Sequence, residues 1–189
     1  MNFWTRCCAA LLATAALALP AVAQKVRIST SAGDILVQLD PQKAPKSVDN
    51  FLAYAKAGHY NGTIFHRVIP DFMIQGGGMT ADMKEKPTRS PIPLESRNGL
   101  KNLRGSVAMA RTPAPDSATS QFFINVKDNA FLDAANSPDG NGYAVFGMVA
   151  DEASLAVVDR IRQVPTGNAG PYQNVPTTPV VIKKISLEN

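Results

Sequence analysis

Residues 26–30 and 34–39 are short segments rich in branched apolar side chains, and Ser31, Ala32 and Gly33 between them are turn formers. Such a pair predicts an opening β-hairpin. The period then changes. Over APKSVDNFLAYAKAGHY the apolar residues Val48, Phe51, Leu52 and Ala55 recur at i, i+3, i+4 and i+7, which is one buried stripe of an α-helix. Pro45 suits the first helical position and Gly58 the C-terminal stop. Strand-like segments follow at residues 63–68, 72–75, 106–110, 121–126, 143–149 and 180–187, with Pro, Gly, Asn and Asp clusters between several of them. A second helix is predicted over residues 152–163, where Leu155, Val158 and Ile161 share a face ahead of Pro165. Many strands with only two helices predict a mostly-β, antiparallel barrel, because a parallel sheet needs a helix in nearly every crossover. There is no internal repeat and no low-complexity tract. The irregular stretch over residues 77–105 reads as a structured surface excursion, not a linker.

The first 23 residues stand apart from this pattern. One positive charge at Arg6, an apolar run from Cys7 to Leu19 and the small triplet Ala21, Val22, Ala23 have the three-part plan of a secretory signal peptide cleaved after Ala23. An apolar run of about 13 residues falls short of the roughly 20 needed to span a bilayer. Cys7 and Cys8 precede the apolar stretch instead of following it, which disfavours a lipoprotein. The division predicted is residues 1–23 as leader and 24–189 as one domain, large enough to bury a sizeable core. Both of the chain's cysteines lie in the leader, so an oxidising compartment places no disulfide demand on the domain. The net charge of +4 includes no long basic block, and nucleic-acid binding asks for a clustered basic face. Two histidines, His59 and His66, with no cysteine make a poor metal inventory.

By pattern alone, Phe72, Met73 and Phe123 read as core, Arg67 as an exposed cation on a strand, and His66 as a surface or hydrogen-bonded structural residue. Gly76, Gly77 and Gly78 are followed by no Lys-Ser/Thr and open no helix, so they are not a phosphate loop. They read as backbone that needs positive φ or close packing. No GxSxG elbow accompanies residues 116–120, DSATS, so serine hydrolase chemistry is unsupported.

Four blocks change the weight of these readings. FHRVIPDFMIQGGG at residues 65–78, RGSVAMAR at 104–111, SQFFINV at 120–126 and YAVFGMV at 143–149 resemble, in order and approximate spacing, the signature of the cyclophilins. The likeness runs from about Val26 to Leu187. The ending VPTGNAGPYQNVPTTPVVI, behind a secretory leader, looks most like the periplasmic bacterial branch. The resemblance implies a closed eight-stranded antiparallel β-barrel capped by two α-helices, with the active groove on its outer face. It implies a peptidyl-prolyl cis/trans isomerase that needs no cofactor and no metal, acts on proline-containing unfolded or extended polypeptides, and works as a periplasmic monomer. Carried over position by position, Arg67 sits beside the substrate proline, with Gln75 as its catalytic companion. Phe72, Met73, Gln121, Phe123 and Leu132 contact substrate, and Ala110 and Arg111 form a backbone-contact segment. Phe131 stands where many members have tryptophan, and Tyr143 where many have histidine. Both departures keep an aromatic wall.

The residue types suit that task on their own chemistry. An X-Pro bond isomerises slowly because rotation must break amide resonance. No bond to carbon is made, so what accelerates it is a site that fits the twisted amide better than either planar form. Arg67 offers a charged fork of donors for the proline carbonyl and for the nitrogen that regains its lone pair. The rival reading is a chaperone that holds proline segments in the same groove without catalysis; a degenerate binder is expected to lose the arginine first. The leader yields one direct test. Mass spectrometry of the protein from its host is expected to find a chain beginning at Gln24, and an intact chain carrying Met1 would refute secretion by this route.

Overall fold

The computed structural model describes residues 24–188; the leader read over residues 1–23, with its cleavage site, lies outside them. The hairpin expected at the start is present, as β1 (Lys25–Thr30) and β2 (Gly33–Leu39). The first helix, α1, covers Pro45–Lys56. Then come β3 (Thr63–Ile69), β4 (Met73–Thr80), β5 (Ser106–Met109), β6 (Phe122–Asn125) and β7 (Val145–Val149). The second helix, α2, covers Glu152–Arg162, and β8 (Thr166–Ala169), β9 (Tyr172–Pro176) and β10 (Val181–Glu188) complete the order. Eight strands close antiparallel in the sequence β1-β10-β3-β4-β6-β5-β7-β2. This is the mostly-β closed barrel that the strand count and the resemblance imply.

Inward side chains of the strands and one face of each helix share a single core. Val26, Ile28, Ile35, Val37, Val68, Ile74, Val107 and Ile124 meet Val48 and Phe51 of α1 and Val157, Val158 and Ile161 of α2. Phe51 closes one end of the barrel: its ring lies 5.2 to 5.4 Å from those of Tyr60, Phe122 and Phe146. The buried face of each helix is turned slightly from the stripe that the periodicity indicated. Tyr54 is buried while Leu52, Ala55 and Leu155 are half-buried, and the Tyr54 hydroxyl accepts from Arg89 N at 2.7 Å.

Two features depart from the sequence reading, and a third keeps to it. The strand expected over residues 72–75 runs on through the glycines to Thr80. Residues 166–176 form a separate two-stranded sheet, β8-β9, in a stretch whose Gly, Pro and Asn content gives no apolar alternation. Its two-residue turn has Gly170 at φ +56°, and the sheet leans on β3. The remainder of the 77–105 excursion is tied down by its own partners. Ile92 bridges to Ala118, and Glu95 reaches the start of α1.

That last contact supplies what the helix lacks. Ala44 at the N-cap offers no side-chain acceptor, and the first N–H groups of a helix need one. The Glu95 carboxylate accepts from Lys46 N at 3.0 Å, Ser47 N at 2.8 Å and Ser47 Oγ at 2.7 Å, placing negative charge at the positive end of the helix dipole. Glu95→Ala is expected to cost about 1 to 2 kcal/mol of stability, a melting point lower by roughly 2 to 8 °C. Glu95→Gln should lose less. An unchanged thermal melt of the alanine variant would show that α1 does not depend on this cap.

Candidate active site

Alternation along a strand puts residues two apart on the same face, so Phe65 and Arg67 would share one side of a regular β3. They do not. Phe65 pairs with Gly76 and Arg67 with Gln75, so two steps along β3 match a single step along β4. His66 is the extra residue of a β-bulge. Phe65 therefore enters the core, fully buried, while Arg67 points to the outside of the barrel. Arg67, Gln75, Phe123 and Ala108 are consecutive cross-strand partners over β3, β4, β6 and β5, and so line up on one outer face.

The polar half of this row is a relay of amides. Arg67 Nη1 donates to Gln75 Oε1 at 3.5 Å, and Gln75 Nε2 donates to Gln121 Oε1 at 2.9 Å. The Arg67 guanidinium carbon also lies 6.0 Å from the Phe72 ring centroid. The glycines make room for the relay. Gly77 takes φ +87°, open to glycine at no steric cost, and a Cβ on Gly78 would stand 2.5 Å from Gln121 Cγ.

The apolar half is a pocket outside the barrel core. Met73, Ala108, Phe123, Leu132 and Val145 form its buried floor, and Ile69, Phe72, Leu100, Ala110 and Tyr143 pack around them. Phe131 rises on a 3-10 turn, Ala130–Leu132, and stacks on Phe72 at 5.5 Å. It is 50% exposed and forms an outer wall. Tyr143 meets Phe123 edge-on at 5.6 Å. The structure thus brings together Arg67, Gln75, Gln121, Phe72, Met73, Phe123, Leu132, Phe131, Tyr143 and Ala110.

Arg111 joins them differently. Its Nε donates to Gly142 O at 2.8 Å, Nη1 donates to Thr112 O at 3.0 Å, and Nη2 pairs with Asp139. The guanidinium sits 4.7 Å from the Tyr143 ring centroid. With that side chain 3% exposed, only the backbone of Arg111 is free for a ligand, and its cation props the Tyr143 wall. Main-chain donation from Asn141, with the Arg111 pair, holds the Asp139 carboxyl well below the usual range. Residues 134–143 are therefore part of the frame of the pocket.

Two further groups escape sequence reasoning. Beneath the pocket, Asn129 Nδ2 donates to Phe72 O at 2.8 Å and to Asn125 Oδ1 at 2.7 Å. Asn125 Nδ2 donates to Ser106 Oγ at 2.9 Å and to Asn102 Oδ1 at 3.2 Å, and Asn102 Nδ2 donates to Asp133 Oδ1 at 3.0 Å. This network fixes the backbone of Phe72 and the turn carrying Phe131 and Leu132. The only signal was asparagine inside apolar blocks. His66 is buried, and its Nδ1 has no hydrogen-bond partner. Burial first, and the neighbouring Arg67 charge second, lower its pKa to about 4. It is neutral near pH 7 and adds no second cation beside Arg67.

Comparison with known proteins agrees with this geometry. The family described as cyclophilin type peptidyl-prolyl cis-trans isomerase/CLD matches residues 25–187. Peptidyl-prolyl cis-trans isomerase A of Dickeya dadantii is 58% identical over 162 residues, covering 86% of this chain and 83% of its own. Peptidyl-prolyl cis-trans isomerase B of Escherichia coli is 52% identical, covering 86% and 98%. Among solved structures, a cyclophilin type isomerase of Cryptosporidium parvum, in the presence of the dipeptide Ala-Pro, superposes with a TM-score of 0.72 at 28% identity. That match covers 88% of this chain and 99% of the other.

The fit of Gln121 over Gly78 tests the relay. Gly78→Ala forces the Gln121 side chain to swing off its contact with Gln75, while a flexible side chain yields at little cost to the fold. Turnover of a proline peptide is expected to fall about 2- to 13-fold, the equivalent of one neutral hydrogen bond, with a near-normal melt. Full activity in the folded variant would show that the relay is dispensable.

Proposed function

The chain belongs to the cyclophilin-type peptidyl-prolyl cis-trans isomerases, and from that membership we propose that it accelerates X-Pro rotation in extended polypeptides through Arg67 at the rim of the Phe72, Met73, Phe123 and Leu132 pocket. The observation that carries this mechanism is the outward row of Arg67, Gln75 and Phe123 across neighbouring strands, which sets a charged fork beside a ring-sized apolar floor.

The pocket removes the pyrrolidine from water and leaves the amide to turn about its C–N bond. As the bond twists, resonance is lost and the proline nitrogen becomes a base that a donor can reach. In the planar forms it is not, so a donor placed there stabilises the transition state more than either ground state. The Arg67 guanidinium has donors to spare, because its only hydrogen bond among the described residues is the 3.5 Å contact to Gln75. Gln75, steadied by Gln121, keeps the guanidinium from folding down onto the barrel. Apolar walls lower the local dielectric and strengthen the contact with the developing lone pair. Rotation transfers no group and no electron, so the chemistry asks for no cofactor.

The substrates proposed are proline-containing segments of unfolded or extended chains. The Ala-Pro dipeptide present with the Cryptosporidium parvum relative supports this. The leader over residues 1–23 supports a periplasmic site of action for the isomerase.

Arg67→Ala is expected to lower the isomerisation rate on the order of 10²-fold or more, the cost of losing a donor of oxyanion-hole type, with a thermal melt close to that of the parent. Arg67→Lys should recover only part of it, because a single ammonium does not reproduce the fork. A protease-free isomerisation assay beside the melt decides the matter. Near-normal catalysis in the folded alanine variant would remove Arg67 from the mechanism.

A further inference from the structure

Beyond Arg67, the groove continues. β4 carries Met73 in the proline pocket, then Gln75, then Met79, and at Met79 the outer face opens into a hollow of about 430 Å³. His66, Arg67, Gln75 and Gln121 form its inner walls, and the β8-β9 hairpin, through Pro171 of its turn and Tyr172, Gln173 and Asn174 of β9, forms its roof. Arg67 and Gln75 are thus a party wall between this hollow and the proline site. The roof is shaped for the place: Asn174 holds φ +58°, a left-handed conformation in which asparagine is enriched.

The hollow's chemistry is one-sided. No carboxylate lines it. Among the described residues Arg67 has no acidic partner, and only its Nη1 is engaged, weakly, by Gln75. Around it stand the amides of Gln75, Gln121, Gln173 and Asn174 and the Tyr172 hydroxyl, all able to donate. His66, 5% exposed in the inner wall, keeps Nδ1 without a partner. A lysine or arginine entering here would meet like charge, and a large apolar side chain would strip water from amides and leave them unpaired. A carboxylate can accept from several of these donors at once.

We propose that this hollow is a second substrate subsite, formed by the β8-β9 hairpin against Arg67, that takes the side chain of an aspartate or glutamate flanking the substrate proline. The subsite rests on the isomerase reading and extends it to a sequence preference. It also assigns a role to β8-β9, an element outside the barrel whose roof residue Gln173 is exposed to solvent.

The test compares X-Pro peptides that differ only by Glu or Gln at each of the two positions before and the two after proline. At one position the Glu peptide is expected to have kcat/KM roughly 2- to 5-fold above its Gln twin, the span of a partly exposed charge interaction. Salt of about 1 M, which shortens the screening length to roughly 3 Å, should bring the ratio near one. Gln173→Glu, on an exposed roof position, should reverse the preference and favour a Lys peptide at that same position. Ratios of one at every position, or a folded Gln173→Glu protein that keeps the acidic preference, would overturn the subsite while leaving the isomerase reading intact. Failure to accelerate even the Gln peptides would overturn that reading, and the subsite with it.

Discussion

The working face of this molecule depends on one break in strand alternation. A closed barrel of eight strands has an interior filled by side chains, so any site must be built from residues that point away from it, and regular pleating assigns every second residue outward. In β3 that rule would pair the fates of Phe65 and Arg67. The bulge at His66 separates them, giving the core an aromatic ring and the surface a guanidinium two residues later. The facing strand accommodates the distortion at Gly76, where a Cβ would press on Ile64 O at 2.9 Å. Bulges recur beside active sites because they re-aim a side chain in this way.

Once Arg67 faces out, its surroundings are held by groups that never touch a substrate. The buried asparagines 102, 125 and 129 are linked through their amides, and Asn129 Nδ2 holds the Phe72 carbonyl while its own Oδ1 is left without a partner. The bonds that such a buried network does make rigidify what they support. On the opposite side, Arg111 spends its donors on Gly142, Thr112 and Asp139 so that Tyr143 stays edge-on to Phe123. The pocket is therefore assembled before any proline arrives, and little ordering remains to be done on binding.

What the sequence revealed follows the range over which each signal acts. The stripe of α1, the alternating strands and the stop of α2 ahead of Pro165 are local and readable. The barrel was legible from strand number, and the site from the blocks around Arg67 and Phe123. The bulge was not, because FHRVI has the same composition whether pleated regularly or kinked, and only the partner strand decides. Glu95 capping a helix through Lys46, 49 residues upstream, has no local mark. Residues 166–176 lacked the alternation by which strands are recognised, since β8-β9 buries little of its own and is placed by packing on β3. By pattern Phe72, Met73 and Phe123 read as core; Met73 and Phe123 are buried and Phe72 half-buried, in a second cluster outside the barrel, a distinction that alternation along one strand cannot express.

Closure of the barrel has a bearing on how such a protein handles its clients. An unfolded chain offers a row of unpaired N–H and C=O groups, and a sheet with a free edge would capture it as an added strand, as aggregating proteins do. Here each barrel strand is flanked on both sides by its neighbours in the ring, and the β8-β9 ribbon is short and carries Pro171 in its turn and Pro176 in β9. A polypeptide at the outer face therefore meets no free barrel edge to join as an added strand. A closed ring can thus carry a peptide site on its outside without its strands becoming a template for the tangles that folding chains must avoid.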